Sequence, residues 1–186
     1  QKLGNKEKNV IPVRNIDITV DKETGIITMR NDGNGVDIAK HPENDLWIPE
    51  MIFGHLRTST NYKKDEKKIV GGKNGFGFKL VLIYSKWGEV ETVDHIRKKK
   101  YTQRFENNLT DILTPTVKKS SSKPYTKVSW LPDYERFGIT NLTDDMFNLF
   151  KKRSYDIGVV TDKSVKVTFN GEAVPNKNFE QYMDVY

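Results

Sequence analysis

The chain has 186 residues, with 31 Lys and Arg against 25 Asp and Glu, which gives a net charge of +6. This length suits a single domain with a sizeable core. The absence of Cys excludes disulfide scaffolds, thiol catalysis and Cys-based zinc or iron–sulfur sites. The three His, at positions 41, 55 and 95, lack the spacing of a metal site.

The positive charge permits an anionic partner such as a nucleotide, a nucleic acid or a lipid head group. No apolar run approaches the ~18 residues of a membrane span, so we expect no membrane association.

The first third of the chain predicts a hairpin and a helix. Apolar and polar residues alternate on both sides of a turn at 21–25, so 15–31 is a predicted hairpin. A short loop with two glycines, 31–35, follows it. Apolar residues then recur at helical spacing over 47–57, where Pro49 suits a first helical turn.

The middle of the chain predicts a buried helix followed by strands. The dense apolar run at 78–83, entered through glycines, favours a helix, although periodicity alone also allows a strand. Strands are predicted at 87–95, 99–106 and 124–131. The polar stretch 118–124 is interpreted as a variable loop.

The last third predicts a helix and a second hairpin. Thr143 precedes two acidic residues and an apolar helical pattern, so it is the predicted N-cap of a helix over 143–155. Asn170-Gly171 after an alternating segment is the strongest hairpin signal in the chain. The elements do not alternate as strand and helix, which favours an α+β, two-layer sandwich with helices on one face of a mixed sheet.

Two glycine-bearing loops are the candidates for chemistry. The first is 31–35, and the second, 71–79, enters the predicted apolar helix. Glycines let backbone N–H groups approach a phosphate closely, and a helix N-terminus favours an anion. Lys73 and Lys79 can add positive charge. The spacing is neither GxxxxGK[ST] nor GxGxxG, because Leu80 occupies the third glycine position. Each loop alone is also compatible with an ordinary surface turn.

These loops belong to a set of motifs that extends over nearly the whole chain. The set is NDGNGV (31–36), IPEMIFGHLRTSTNY (48–62), DEKKIVGGKNGFGFKL (65–80), RSYDIG (153–158), VKVTFNGEAVP (165–175) and FEQYMDVY (179–186). It resembles the ATPase region of eukaryotic-type DNA topoisomerase II, a member of the GHKL superfamily with gyrase B, MutL, the large heat-shock chaperone and sensor histidine kinases. The resemblance implies a Bergerat-type ATP-binding fold, with 1–186 as a single nucleotide-binding domain.

The resemblance also implies a set of ATP-binding residues. Asn31 stands where many superfamily members have the Asp that binds the adenine amino group, and its amide oxygen can accept the same bond. Gly33 and Gly35 are expected to shape the floor under the base. An ATP lid is expected over 58–76. The remaining expected contacts are Ser59, Thr60 and Asn61 to ribose and phosphate, and Gly72, Lys73, Asn74, Gly75, Phe76, Gly77, Phe78 and Lys79 in the phosphate loop.

Three positions depart from the family pattern. The family more often has Arg at Lys73, Tyr at Phe76 and Ala at Phe78. A phosphate contact made by the backbone tolerates the change at 76. Phe78 in place of a small residue is the larger change, and it affects local packing.

The resemblance implies that no catalytic residue and no metal ligand lies in this chain. In the family, a helix that would precede Gln1 carries the general-base Glu and the Asn that holds Mg²⁺. The transducer and DNA-cleavage domains would follow Tyr186. The expected cofactors are ATP and Mg²⁺, and we expect little or no ATP turnover from this chain alone.

The implied function is a nucleotide-driven gate. In the family, ATP binding dimerises two such domains and so controls ATP-dependent DNA strand passage by a homodimeric type II topoisomerase. The basic run Arg97 to Lys100 is a candidate DNA contact, or else a solvated turn. Two alternatives remain: another superfamily switch, MutL-like or chaperone-like, and a non-enzymatic basic module that binds nucleic acid. A cellular parent would be nuclear, and a viral one could act in the host cytoplasm or be carried in the virion.

Overall fold

The computed structural model describes residues 10–43, 45–55 and 76–184. Within these residues the strands form one nine-stranded mixed sheet. The strands are β1 (Asn15–Val20), β2 (Ile27–Asp32), β3 (Ser85–Asp94), β4 (Lys99–Glu106), β5 (Asp111–Ile112), β6 (Thr116–Lys119), β7 (Tyr125–Pro132), β8 (Lys166–Phe169) and β9 (Glu172–Ala173).

The order of the strands differs from their order in the sequence. From one edge to the other it is β5-β4-β3-β7-β2-β1-β8-β9, and β6 pairs with the outer edge of β4. β1 and β2 form the predicted hairpin, whose turn places Gly25 at φ 73°. The β1–β8 pair is parallel, and the other pairs within the described sheet are antiparallel. The sheet is therefore mixed, as the sequence indicates.

The helices of the described residues are α1 (Ile48–Gly54), α2 (Gly77–Ile83), α3 (Asp144–Val160) and α4 (Phe179–Met183), with a 3₁₀ turn at Tyr134–Phe137. The first three occupy the predicted positions. Pro49 lies in the first turn of α1, and Thr143 caps α3 by accepting a hydrogen bond from the Met146 backbone. α3 extends to Val160, beyond the predicted end at 155.

One face of the sheet carries the main core. Ile18, Ile27 and Trp130 are buried there against side chains from both α2 and α3. Leu82 of α2, Val90 and Phe105 form the neighbouring cluster, which Phe53 of α1 also contacts. Alternation along the strands leaves a charged opposite face, on which Asp17 pairs with Arg30 and Glu91 with Lys100 and Lys127. The α+β two-layer prediction is confirmed.

One local prediction is wrong in part. Lys118 and Lys119, assigned to the loop 118–124, belong to β6 and pair with β4. A short polar edge strand carries no hydrophobic alternation, so the sequence pattern gives no signal for it. None of the helices in the described ranges is long and apolar enough to cross a membrane.

Candidate functional site

The site is built where β2 and β3 end and the antiparallel β7 between them begins. Asn31 pairs with Thr126, and Thr126 pairs with Thr92 in the next strand. These three residues lie two positions along from Met29, Val128 and Val90, so they share the helix-facing side of the sheet. They form a polar row at the end of a largely apolar layer. Neither threonine is predicted as a site residue from the sequence, because only the strand register brings them next to Asn31.

Thr92 is the centre of this polar row. Its hydroxyl donates to the Tyr125 carbonyl (2.9 Å) and accepts from the Val36 backbone N–H (2.9 Å). It also lies 3.1 Å from the hydroxyl of Thr126. The row is therefore bonded directly to the loop that follows β2.

The predicted role of Asn31 is to accept a bond from the adenine amino group through its side-chain oxygen, Oδ1. Its Nδ2 donates to the Asp32 carbonyl at 2.7 Å. That bond engages the donor side of the amide, while Oδ1 is the side that can accept a bond from an amino group.

Asp32, the acidic residue of the same loop, anchors the preceding segment. Its carboxylate accepts from the backbone of Arg14 (2.7 Å) and Asn15 (2.9 Å) and from Asn15 Nδ2 (2.6 Å). Burial opposes ionisation, but the bonds from Asn15 and Arg14 outweigh it and hold the pKa of Asp32 below its usual value. A carboxylate held in this way is a poor proton acceptor.

Gly33 and Gly35 are required by the path of the loop. Their φ angles are +112° and +73°, in the region that favours glycine. A Cβ on Gly35 would lie 1.9 Å from the Val93 carbonyl oxygen, and one on Gly33 would lie 3.0 Å from Val13. The loop lies too close to β3 at Gly35 for any side chain to fit. A role beneath a base stays a prediction.

Asp94 fixes the far end of this loop. It is 3% exposed and accepts from the backbone N–H groups of Ile38, Ile96 and Arg97. Burial raises its pKa, but these bonds and the Arg97 charge outweigh that effect and leave the pKa below its usual value. Arg97 Nε also lies 2.6 Å from Asp37. The loop that follows β2, with Gly33 and Gly35, is called here the glycine loop. These bonds and the Arg97–Asp37 ion pair hold it to the turn after β3.

This arrangement bears on the basic run proposed to contact DNA. Arg97 is paired with Asp37, and Lys100 lies 2.7 Å from Glu91. Two of its four cations are therefore neutralised by carboxylates of the protein.

Of the second predicted loop, 71–79, the structure describes residues 76–79, which lead into α2. Phe76 is the N-cap, and Gly77 is the first helical residue. The first N–H groups of a helix have no partner within it, so those of Gly77 and Phe78 are suited to an anion. Among the described residues, no atom lies within 4 Å of the position that a Gly77 Cβ would take, and its φ is not positive. Nothing in the described packing explains why this residue is glycine.

The side chains of the two residues after Gly77 are shielded from solvent to different degrees. Lys79 is 2% exposed, and burial lowers the pKa of its ammonium group. Phe78 packs edge-on against Phe53 and Trp130, with ring centroids 5.3 and 6.1 Å apart. The core therefore accommodates the large side chain at 78, which leaves only its backbone for a phosphate contact.

The remaining predicted contacts lie outside the described residues. These are Ser59, Thr60, Asn61, Gly72, Lys73, Asn74 and Gly75, together with the rest of the predicted lid before Phe76. Across the ranges that the structure describes, no three His, Asp or Glu side chains gather as a protein-only metal site requires. Mg²⁺ bound mainly through phosphates needs no such cluster.

Comparisons with known proteins point to one family. The chain is 46% identical over 171 residues to DNA topoisomerase 2 of Acanthamoeba polyphaga mimivirus and 42% identical over 183 residues to that of Arabidopsis thaliana. These alignments cover 92% and 98% of this chain but only 13% and 12% of the relatives. The chain thus spans about an eighth of the length of the relatives it matches. No family model matches it.

The fold gives the same result. The crystal structure of the ATPase region of Saccharomyces cerevisiae topoisomerase II superposes with a TM-score of 0.89 at 39% identity, covering 94% of this chain and 46% of that one. Sequence and fold therefore agree over nearly the whole chain, and the chain belongs to the eukaryotic-type DNA topoisomerase II family, within its ATPase region.

Proposed function

We propose that this chain binds ATP between the polar row at the end of the sheet and the start of α2. The observation that carries the proposal is Gly77. It opens a helix whose first N–H groups have no partner within the helix, yet neither its φ nor any neighbouring atom of the described residues requires a glycine. A residue kept small with open space in front of it suits the close approach of a ligand.

The described residues suggest a division of labour. Asn31 Oδ1 accepts from the adenine amino group, and the hydroxyls of Thr126 and Thr92 line the same polar row. The backbone N–H groups at 76, 77 and 78 contact the phosphates, and Lys79 follows them in the first turn of α2. The predicted contacts at 59–61 and 72–75 would complete the pocket. Mg²⁺ would enter with the triphosphate, and ATP supplies the phosphoanhydride bond that is cleaved.

The wider role follows from the names of the relatives. We infer that the parent protein is a homodimeric, ATP-dependent type II DNA topoisomerase in which this part controls DNA strand passage. In a cell such a protein acts in the nucleus, and a viral one acts in host cytoplasm or is carried in the virion. Two carboxylates at the glycine loop, Asp32 and Asp94, accept hydrogen bonds from backbone N–H groups, and their pKa values lie below the usual value. Neither is therefore suited to accept a proton, and we expect little ATP turnover by the 186-residue chain.

The test is titration with a non-hydrolysable ATP analogue. We expect Gly77→Leu to weaken binding by about 10- to 100-fold, because the side chain blocks one or two charge-assisted hydrogen bonds. We expect Gly77→Ala to weaken it less. Neither change should lower thermal stability, because no described atom lies within 4 Å of the new Cβ and both residues favour a helix more than glycine does.

The matched control is Asn148→Leu, which adds similar apolar bulk to an exposed position on α3. It should leave analogue affinity unchanged. Unaltered affinity in Gly77→Leu, or absence of analogue binding by the wild-type chain, would contradict the proposed site.

A further inference from the structure

Five lysines gather at one corner of the sheet, where β4 begins and β6 ends. They are Lys98, Lys99, Lys118, Lys119 and Lys123, called here the lysine corner. Lys98 ends the turn between β3 and β4, and Lys123 lies in the loop between β6 and β7. The Ser120 N–H donates to the Lys98 carbonyl (2.9 Å), which holds this turn and loop together.

The register at this corner places like charges opposite each other. Lys99 pairs directly with Lys119, and the next pair along, Lys100 with Lys118, is also Lys with Lys. Directly opposed residues in an antiparallel ladder have Cβ atoms about 5 Å apart, and like charges there are destabilising. The fold therefore tolerates an unfavourable concentration of positive charge.

The protein neutralises the neighbouring cations but leaves the corner charged. Lys100 pairs with Glu91, and Arg97 with Asp37. By contrast, none of the five corner lysines is ion-paired within the part of the chain that the structure describes. The charges of these five lysines are therefore not compensated by carboxylates of the described residues.

Protection of an edge strand explains only part of this cluster. Lysines on an exposed edge prevent pairing with another chain, and Lys118 and Lys119 on β6 can serve that purpose. Lys99 lies on β4, which is flanked by β3 and β6. Lys98 and Lys123 lie outside any strand. Edge protection requires none of these three.

We propose that the lysine corner binds the phosphate backbone of duplex nucleic acid. Successive strand residues point to opposite faces, so Lys118 and Lys119 project on both sides of the sheet edge. An edge charged on both sides suits phosphates along the two rims of a groove about 12 Å wide better than a flat lipid surface. No Tyr, Trp or Phe lies in 95–100 or 116–123, which disfavours a single strand held by base stacking.

The choice of nucleic acid as the partner rests on the proposed topoisomerase function, whereas the corner itself rests on register and charge. The corner begins at the turn that Asp94 and Arg97 fix to the glycine loop, so it lies next to the proposed nucleotide site. Binding to the duplex needs no nucleotide and is measured without it. A failure to bind duplex therefore does not contradict the proposed nucleotide site. A failure to bind the ATP analogue likewise does not contradict the proposed duplex contact.

The test is fluorescence anisotropy with a labelled 30-base-pair duplex and the 186-residue chain, over about 50–200 mM salt. Lys118→Gln with Lys119→Gln should weaken binding about tenfold or more at 0.1 M salt and reduce the salt slope by about 1.8, since each phosphate contact contributes about 0.9. The matched control is Lys163→Gln with Lys166→Gln. These exposed lysines lie at and before β8, five strands from β4 and so about 24 Å away. We expect the control to change affinity less than twofold.

A third variant separates phosphate binding from edge protection. Ser121→Glu places a negative charge at an exposed position between Lys119 and Lys123 and leaves every lysine in place. We expect severalfold weaker duplex binding and an unchanged oligomeric state by light scattering. Thermal unfolding of each variant shows that the fold is retained.

Four results would overturn the proposal. One is no duplex binding by the wild-type chain at the lowest salt. A second is an equal loss in the corner and control variants, which would mean a response to net charge alone. A third is self-association of the corner variant with duplex affinity retained, which would leave edge protection as the role. The fourth is loss of binding to phosphatidylserine vesicles without loss of duplex binding, which would identify a membrane surface as the partner.

Discussion

At the scale of single residues, two glycines with similar backbone angles differ in their surroundings. Gly35 and Gly171 have φ of +73° and +84°. A Cβ on Gly35 would lie 1.9 Å from the Val93 carbonyl oxygen, whereas one on Gly171 would have no atom within 4 Å. The pair therefore separates backbone strain from steric exclusion.

We expect Gly35→Ala to lower the free energy of unfolding by about 3–4 kcal/mol. Of this, about 1–2 kcal/mol comes from a left-handed alanine, and the rest from displacing the backbone of β3. Gly171→Ala, the control, should cost only about 1–2 kcal/mol. Urea unfolding of both variants measures the difference, and equal losses would show that the glycine loop is not packed against β3 as described.

At the scale of elements, α2 links the two halves of the core. Phe78 on its inner side contacts both the cluster around Trp130 and the cluster around Leu82. Leu80 on its outer side is 49% exposed. The helix thus places one large ring in the core while its first residues remain at the proposed nucleotide site.

We expect Phe78→Ala to destabilise the chain by about 2–4 kcal/mol, because it removes a ring that packs between two clusters. Analogue affinity should stay within about twofold once the variant is folded, because the side chain does not face the proposed pocket. Leu80→Ala, in the same helix, should change stability by less than about 0.5 kcal/mol. Denaturant unfolding and the analogue titration together check this, and a large loss of affinity with little loss of stability would contradict the packing of Phe78.

At the scale of the whole molecule, charge holds the end of the described chain to its body. The Asp156 carboxylate on α3 accepts from Lys152 (2.8 and 2.9 Å), Arg153 (2.9 Å) and the Tyr182 hydroxyl on α4 (2.6 Å). The bonds from Lys152 and Tyr182 are the main reason that the pKa of Asp156 falls from 3.8 to about 2. The RSYDIG motif therefore has a structural role that joins two helices.

This lowered pKa predicts a pH dependence of global stability. A carboxylate whose pKa is lower in the folded state stabilises fully above its unfolded value, here about pH 4, and loses that contribution as the pH falls towards 2. We expect Asp156→Asn to be less stable than wild type at pH 7, with the difference shrinking between pH 4 and 2. Urea unfolding at pH 7, 4, 3 and 2 measures it.

Asp145→Asn is the control. It removes an exposed carboxylate in the first turn of the same helix, away from the groups that bond to Asp156. Its free energy of unfolding should differ less from that of wild type at pH 7. A constant stability difference between wild type and Asp156→Asn down to pH 2 would contradict the stabilising role of the ionised Asp156.

The amino-acid sequence by itself determined the features that depend on neighbours along the chain. Alternation and a glycine turn specify the first hairpin, Thr143 specifies the start of α3, and Asn170-Gly171 specifies the last hairpin. Turn and cap chemistry acts over three to five residues, so such signals can be read locally. Motif resemblance identified the family for the same reason, since the glycine loops are short and contiguous.

Only the tertiary structure decided which distant residues meet. It pairs β1 in parallel with β8, where Asn170 Oδ1 accepts from the Val20 N–H across 150 positions. It adds Thr92 and Thr126 to Asn31, and it turns Phe78 into the core. It also brings Lys118 and Lys119 opposite Lys100 and Lys99. Strand order and register are set by how the whole core packs, and no local pattern of polar residues encodes which strand will lie alongside.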